Sequence, residues 1–156
     1  MSDIPSIIPQ NGRVPAVPSL GEKGESLAAA FLEQQGYRIV MANFTAPVGR
    51  NSKGVQVTGE VDLVALDGDT LCFIEVKTRR SDEIAGPLAN VNLRKQRQIA
   101  RTAKVYRQIF SIQEMAYRFD VISVLMEKGR APRLELYRGF WSEAKFRKRA
   151  WSDVPY

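Results

Sequence analysis

The chain of 156 residues has the length of one ordinary domain, and its 44% apolar and 26% charged content is normal for a soluble globular protein. A net charge of +6 favours polyanionic partners such as nucleic acid or anionic lipid. The absence of histidine excludes His acid–base catalysis, Ser/His triads and His-ligated zinc or iron, and the single Cys72 excludes an internal disulfide and a Cys-cluster metal site.

Residues 1–19 hold Pro5, Pro9, Pro15 and Pro18 with little periodicity, which predicts an extended or flexible arm. Residues 20–35 predict a helix closed by Gly36, with Leu20, Leu27, Phe31 and the alanines between them as its buried stripe. Gly21 and Gly24 permit close approach to another backbone or to phosphate, or simply begin the helix loosely. Glu25 lies at the margin of the stripe, where an acid also suits the helix dipole. Residues 37–44 predict a short strand. Residues 45–58, with Pro47, Gly49, Arg50, Asn51, Lys53 and Gly54, predict a polar loop, either a substrate-contacting flap or a solvated insertion.

Residues 59–79 predict a β-hairpin, two apolar strands around the turn formers Asp67-Gly68-Asp69-Thr70. Strand alternation places Glu60 with Asp62, and Glu75 with Lys77. A loop at Gly68-Asp69, or across Asp67 to Thr70, sets Asp62 opposite Glu75 and Glu60 opposite Lys77. A turn at Asp67-Gly68 sets Glu60 opposite Glu75 instead, with Asp62 diagonal. In either register all four charges share one side. Directly opposed β-carbons lie about 4.5–5.5 Å apart, so two carboxylates there repel, and a divalent cation offsets that cost. A few oxygen ligands suit Mg²⁺. A solvated face with a plain Glu60–Lys77 pair is the competing reading. The apolar residues Leu71, Phe73, Val64 and Leu66 that continue the same face favour a site. Cys72 alternates with Ile74 and Val76 and is expected to be a buried structural thiol.

After Gly86-Pro87, residues 88–110 predict a long helix with Val91, Ile99, Ala103, Tyr106 and Phe110 inward. Charge runs on helices are mostly solvated faces, but its Arg94, Lys95, Arg97, Arg101, Lys104 and Arg107 carry one sign of charge, which removes i,i+4 pairing among them and raises the chance of phosphate contact. Residues 117–125 predict a central strand, 127–132 a turn and 134–137 a last strand. Ser142 to Arg149 form a basic tail bracketed by Trp141 and Trp151, which stack on bases or pack on the core. The domain reading is an N-terminal arm (1–19), one domain (20–138) and a basic tail (139–156). No apolar run reaches membrane-spanning length and no signal-peptide pattern opens the chain, so a cytoplasmic protein is expected.

Asp62 followed by Glu75-Val76-Lys77 resembles the PD-(D/E)xK site of restriction-endonuclease-like nucleases. More closely, the chain is similar to the YraN-like family of bacterial proteins, from about Leu20 to Leu125. The likeness rests on Gly24-Glu25 with Ala28, on residues 36–39, on Asn43, on 59–65 and 73–79, on Lys95 with Ala103, and on 118–121. The longer 45–58 segment, the Pro-rich arm and the basic tail depart from it.

The resemblance implies an α/β fold, a restriction-endonuclease-like mixed β-sheet flanked by α-helices. It implies Mg²⁺ or Mn²⁺ held by Asp62, Glu75 and the Val76 carbonyl, with Glu25 as an outer ligand and Lys77 positioning the attacking water or neutralising developing charge. Glu60 is an accessory candidate, and Arg79 and Lys95 would meet the nucleic-acid backbone. The expected activity is a metal-dependent nuclease acting on nucleic acid, DNA foremost, on branched or flapped structures among others. The alternative is a non-catalytic nucleic-acid-binding module of a larger complex. Membrane-surface association through the tail is a third, weaker reading, and a homodimer is compatible with all of them.

Overall fold

A computed structural model describes residues 16–81 and 91–146, apart from the Lys145 side chain. Residues 1–15 of the expected arm (1–19), residues 88–90 of the expected helix (88–110) and the tail beyond 146, with Trp151, lie outside the described residues; the helix itself begins later than expected, at Leu93 after the N-cap Asn92, so Val91 precedes it.

Helix α1 spans Leu20–Gln34 and begins at a capping box, in which the Ser19 hydroxyl accepts the Glu22 N–H and the Glu22 carboxylate accepts the Ser19 N–H. Strands β1 (Arg38–Arg50), β2 (Gln56–Asp67) and β3 (Thr70–Arg80) follow, then α2 (Leu93–Ile109), β4 (Tyr117–Met126) and β5 (Arg133–Trp141). The five strands lie side by side in chain order. Neighbours are antiparallel except β3 and β4, which run parallel and are joined through α2. This is a mixed sheet with one helix on each face, the expected α/β architecture.

On one face, Ala28 and Leu32 of α1 pack on Leu63, Ala65, Cys72, Ile74, Val76, Ile122 and Val124. On the other, Ile99, Ala100, Ala103 and Tyr106 of α2 pack on Val64, Leu71, Phe73, Phe119 and Val121. Each fully buried Leu, Ile or Phe contributes about 1.5–3 kcal/mol, so these two layers supply most of the favourable free energy. The α1 stripe differs from the expected one: Gly24, Ala28 and Leu32 are buried, while Leu20, Leu27 and Phe31 flank them. Cys72 is fully buried as expected, and burial pushes its thiol up to about 12.

Three expectations are corrected here. Residues 45–58 are not a loop: β1 continues to Arg50 and β2 starts at Gln56, around a turn braced by Arg50 Nη1 donating to the Gly54 carbonyl at 2.7 Å. Pro47 hid this strand, but β1 is an outer strand, where a missing N–H costs little. The last strand runs past the expected 137 to Trp141, which is buried and stacked on Phe119 at 4.8 Å, the core-packing alternative of the two. Phe110 is 46% exposed and caps α2 instead of joining its buried stripe. Among the described residues, no helix is long and apolar enough to cross a membrane.

Candidate active site

The 67–70 turn selects the first of the two registers. Gly68, at φ +58°, and Asp69 link the strands, and Asp67 pairs with Thr70. The ladder continues to Leu63 opposite Ile74, and the next step brings Asp62 to Glu75. There the pairing changes character: Asp62 Oδ2 accepts the Val76 N–H at 2.8 Å. The carboxylate replaces a strand carbonyl, a charge-assisted bond that fixes its position.

Glu75 is only 3% exposed. Burial, then the charge of Asp62, pushes its carboxyl up to about 7, against the opposing pull of Lys95 and Lys77. Lys77 Nζ stands 3.4 Å and Lys95 Nζ 3.7 Å from Glu75 Oε1. Glu75 Oε2 is buried without a hydrogen-bond partner among the described residues. An orphaned buried carboxylate oxygen beside a second carboxylate is costly unless a proton or cation meets it. The donor set therefore fits a hard divalent cation. Among the described residues no three carboxylate or Cys side chains converge on one point. Asp62 and Glu75 are the two carboxylates that meet at the end of the β2–β3 ladder.

The shared-side expectation fails for Glu60. Gly59 and Val61 face α2: a Cβ on Gly59 would sit 2.0 Å from Thr102 Oγ1, and Val61 belongs to the α2-side core. Leu63 and Ala65, of the same parity, face α1. Strict alternation forbids this, so β2 changes face at Asp62. The cause lies opposite, where β1 register places Asn43 across from Asp62 and Asn43 adopts the left-handed conformation, φ +52°. Glu60 is exposed, and no Glu60–Lys77 ion pair is found among the described residues; Lys77 pairs with Glu75 instead.

Glu25 of α1 is close enough to Asp62 and Glu60 to feel both charges. Burial first, then those two carboxylates, raise its pKa, and a hydrogen bond with the Asn43 side chain lowers it. Asn43 thus lies opposite the point where β2 changes face and beside Glu25; its sole sequence signal was its place in the quoted motif set. Gly24 sets how near α1 comes, since a Cβ there would lie 1.8 Å from Thr78 Oγ1. Arg79 shares the strand parity of Glu75 and Lys77, with its Nε buried and unpartnered among the described residues.

A second polar cluster escaped sequence reasoning. Fully buried Asp120 accepts from Arg118 Nε at 3.0 Å, from the Gly139 N–H at 2.9 Å and from the Tyr37 hydroxyl at 3.3 Å. Arg118 also donates to Asp67 and to the Tyr37 hydroxyl, each at 2.7 Å, and Arg138 Nε donates to that hydroxyl at 2.9 Å. The cluster is well satisfied, and it ties the end of α1 to β2, β4 and β5.

A family model described as "Uncharacterised protein family UPF0102" matches residues 24–124. A UPF0102 protein of Chlorobium chlorochromatii is 47% identical over 105 residues, 67% of this chain and 73% of the relative. Another, from Chlorobium limicola, is 38% identical over 131 residues, 80% of this chain and 94% of the relative. A third, from Geotalea uraniireducens, is 38% identical over 117 residues, 75% of this chain and 84% of the relative. The crystal structure of a protein called SSO0001 aligns over 77% of this chain and 52% of its own at 17% identity, with a TM-score of 0.30, too slight a likeness to carry any argument.

Proposed function

We propose that this chain, which belongs to the UPF0102 family, is a metal-dependent nuclease that hydrolyses phosphodiester bonds in nucleic acid, DNA foremost. The observation that carries the reading is the buried Glu75 carboxylate, one oxygen orphaned, set beside Asp62 with two lysines on its other oxygen. Asp62, Glu75 and the main-chain carbonyl of Val76 would hold Mg²⁺ or Mn²⁺, with Glu25 reaching it through water. When bound, such an ion polarises a phosphoryl oxygen and lowers the pKa of the attacking water.

The chain's own groups do the rest. Lys77, which stands beside Glu75, would orient the water and stabilise negative charge as it builds on the phosphoryl oxygens. Lys95 and Arg79 grip the phosphates that flank the scissile bond. Glu60, exposed and turned from the pair, stays outside the ligand set. The test is cleavage of single-stranded, duplex and branched DNA with Mg²⁺ or Mn²⁺. The wild type is expected to cut at least one of them and Asp62→Ala none. Equal cleavage by both overturns the reading.

The basic stripe of α2 also favours a second reading, a binding module without turnover. Steeply salt-dependent binding with no hydrolysis of any of these substrates would establish it.

A further inference from the structure

The face change at Asp62 carries the outer part of the β1–β2 hairpin over α2. Gly59 lies against Thr102, and Gln98 Nε2 donates to the Thr58 carbonyl at 3.2 Å, so hairpin and helix are joined there. Beside this junction they enclose a cleft of about 840 Å³. Arg50, Asn51 and Val57 line the hairpin wall, and Arg94, Arg97 and Arg101 the helix wall. Lys95 lines the cleft and its Nζ stands 3.7 Å from Glu75 Oε1, so this one side chain links the cleft to the carboxylate pair. Among the described residues, no carboxylate lines it and neither Arg94 nor Arg101 has an ion-pair partner.

We infer that this cleft seats a single strand of nucleic acid, held by its phosphates and led past Lys95 to Asp62 and Glu75. The inference rests on the nucleic-acid reading of the adjoining site and adds the strandedness of the ligand and its path. Size argues for one strand. The volume is that of a small-ligand pocket, about 300–1,000 Å³. A duplex, whose major groove alone is about 12 Å wide, does not enter it. Length argues the same way: Arg94 to Arg101 spans about 10 Å of helix axis at ~1.5 Å per residue. That matches about three steps of a stacked strand at ~3.4 Å each. Chemistry argues for phosphate readout, because among the described residues no aromatic side chain lines the cleft to stack a base.

The test is fluorescence anisotropy in EDTA, so that no cleavage intervenes, with labelled oligothymidylate, oligouridylate and a duplex of equal length. Wild type is expected to bind one or both single strands more tightly than the duplex. Arg94→Ala/Arg101→Ala is expected to weaken single-strand binding roughly tenfold or more and to flatten the log–log salt dependence by about 1.4, two contacts at ~0.7 each. The exposed Lys128→Ala serves as control and is expected to leave both unchanged. Circular dichroism melts confirm that the double variant folds. Duplex preference, or single-strand binding and salt slope unchanged in the double variant, overturns the cleft assignment. Because the assay needs no metal, a chain that binds this way but never cuts loses the nuclease reading and keeps the cleft.

Discussion

The Asp62 carboxylate stands in for a strand partner of Val76, accepting its N–H at 2.8 Å where the β2–β3 ladder stops. One side chain therefore serves both the sheet and the site, and two substitutions separate the roles. Asparagine keeps an acceptor and loses the charge; alanine loses both. Both are expected to abolish metal-dependent cleavage. In urea unfolding, Asp62→Ala is expected to be less stable than Asp62→Asn by about 1–3 kcal/mol, the cost of an orphaned, partly buried N–H. Equal stability would show that this bond holds nothing in place.

Glu75 makes stability depend on pH in a definite direction. Its folded pKa is raised from the ordinary 4.5 to about 7, so the folded state binds this proton more tightly than the unfolded chain. The contribution is complete below about pH 4.5 and is lost as pH rises toward 7. Metal-free unfolding midpoints are expected to fall across that window, and less steeply in Glu75→Gln. Saturating Mg²⁺ or Mn²⁺ is expected to cancel the difference between the two proteins. A difference untouched by either ion counts against the metal centre.

The α1–β3 approach separates two glycines in one helix. Gly24→Ala drives a methyl to 1.8 Å from Thr78 Oγ1 and is expected to cost about 1–3 kcal/mol. Gly21→Ala meets nothing nearer than Ser19 Oγ at 3.9 Å and is expected to stabilise by about 0.5–1 kcal/mol. Chemical denaturation of the two variants checks both signs.

The buried cluster around Asp120 predicts graded losses. Asp120→Ala removes the acceptor shared by three donor groups and leaves Arg118 leaning on Asp67 alone among carboxylates, for an expected cost of about 3–5 kcal/mol. Tyr37→Phe removes one hydroxyl and is expected to cost about 1–3 kcal/mol. Thermal melts of both variants test the order.

The hairpin at 59–79 was legible because its turn formers and apolar alternation are local signals, and they brought Asp62 to Glu75. The face change was not legible. It depends on Asn43 adopting a left-handed backbone across the strand pair, which no periodicity announces. Glu60 was misplaced for that reason. The outer half of the preceding β1–β2 hairpin was hidden by Pro47 and Gly49, residues that usually mark loops but are tolerated on an outer strand. The Tyr37–Asp120 cluster joins residues 83 apart in sequence, and only the packed sheet brings them together.

β1 is an outer strand of 13 residues, and a flat strand of that length offers a row of unpaired N–H and C=O groups onto which a further chain can add. Its register slips between Ile39 and Met41, its backbone turns left-handed at Asn43, and Pro47 lacks an N–H altogether. The uninterrupted pieces are shorter than an ordinary strand of about five or six residues. The irregularity that aims Asp62 therefore also guards the molecule against amyloid-like growth from its open border.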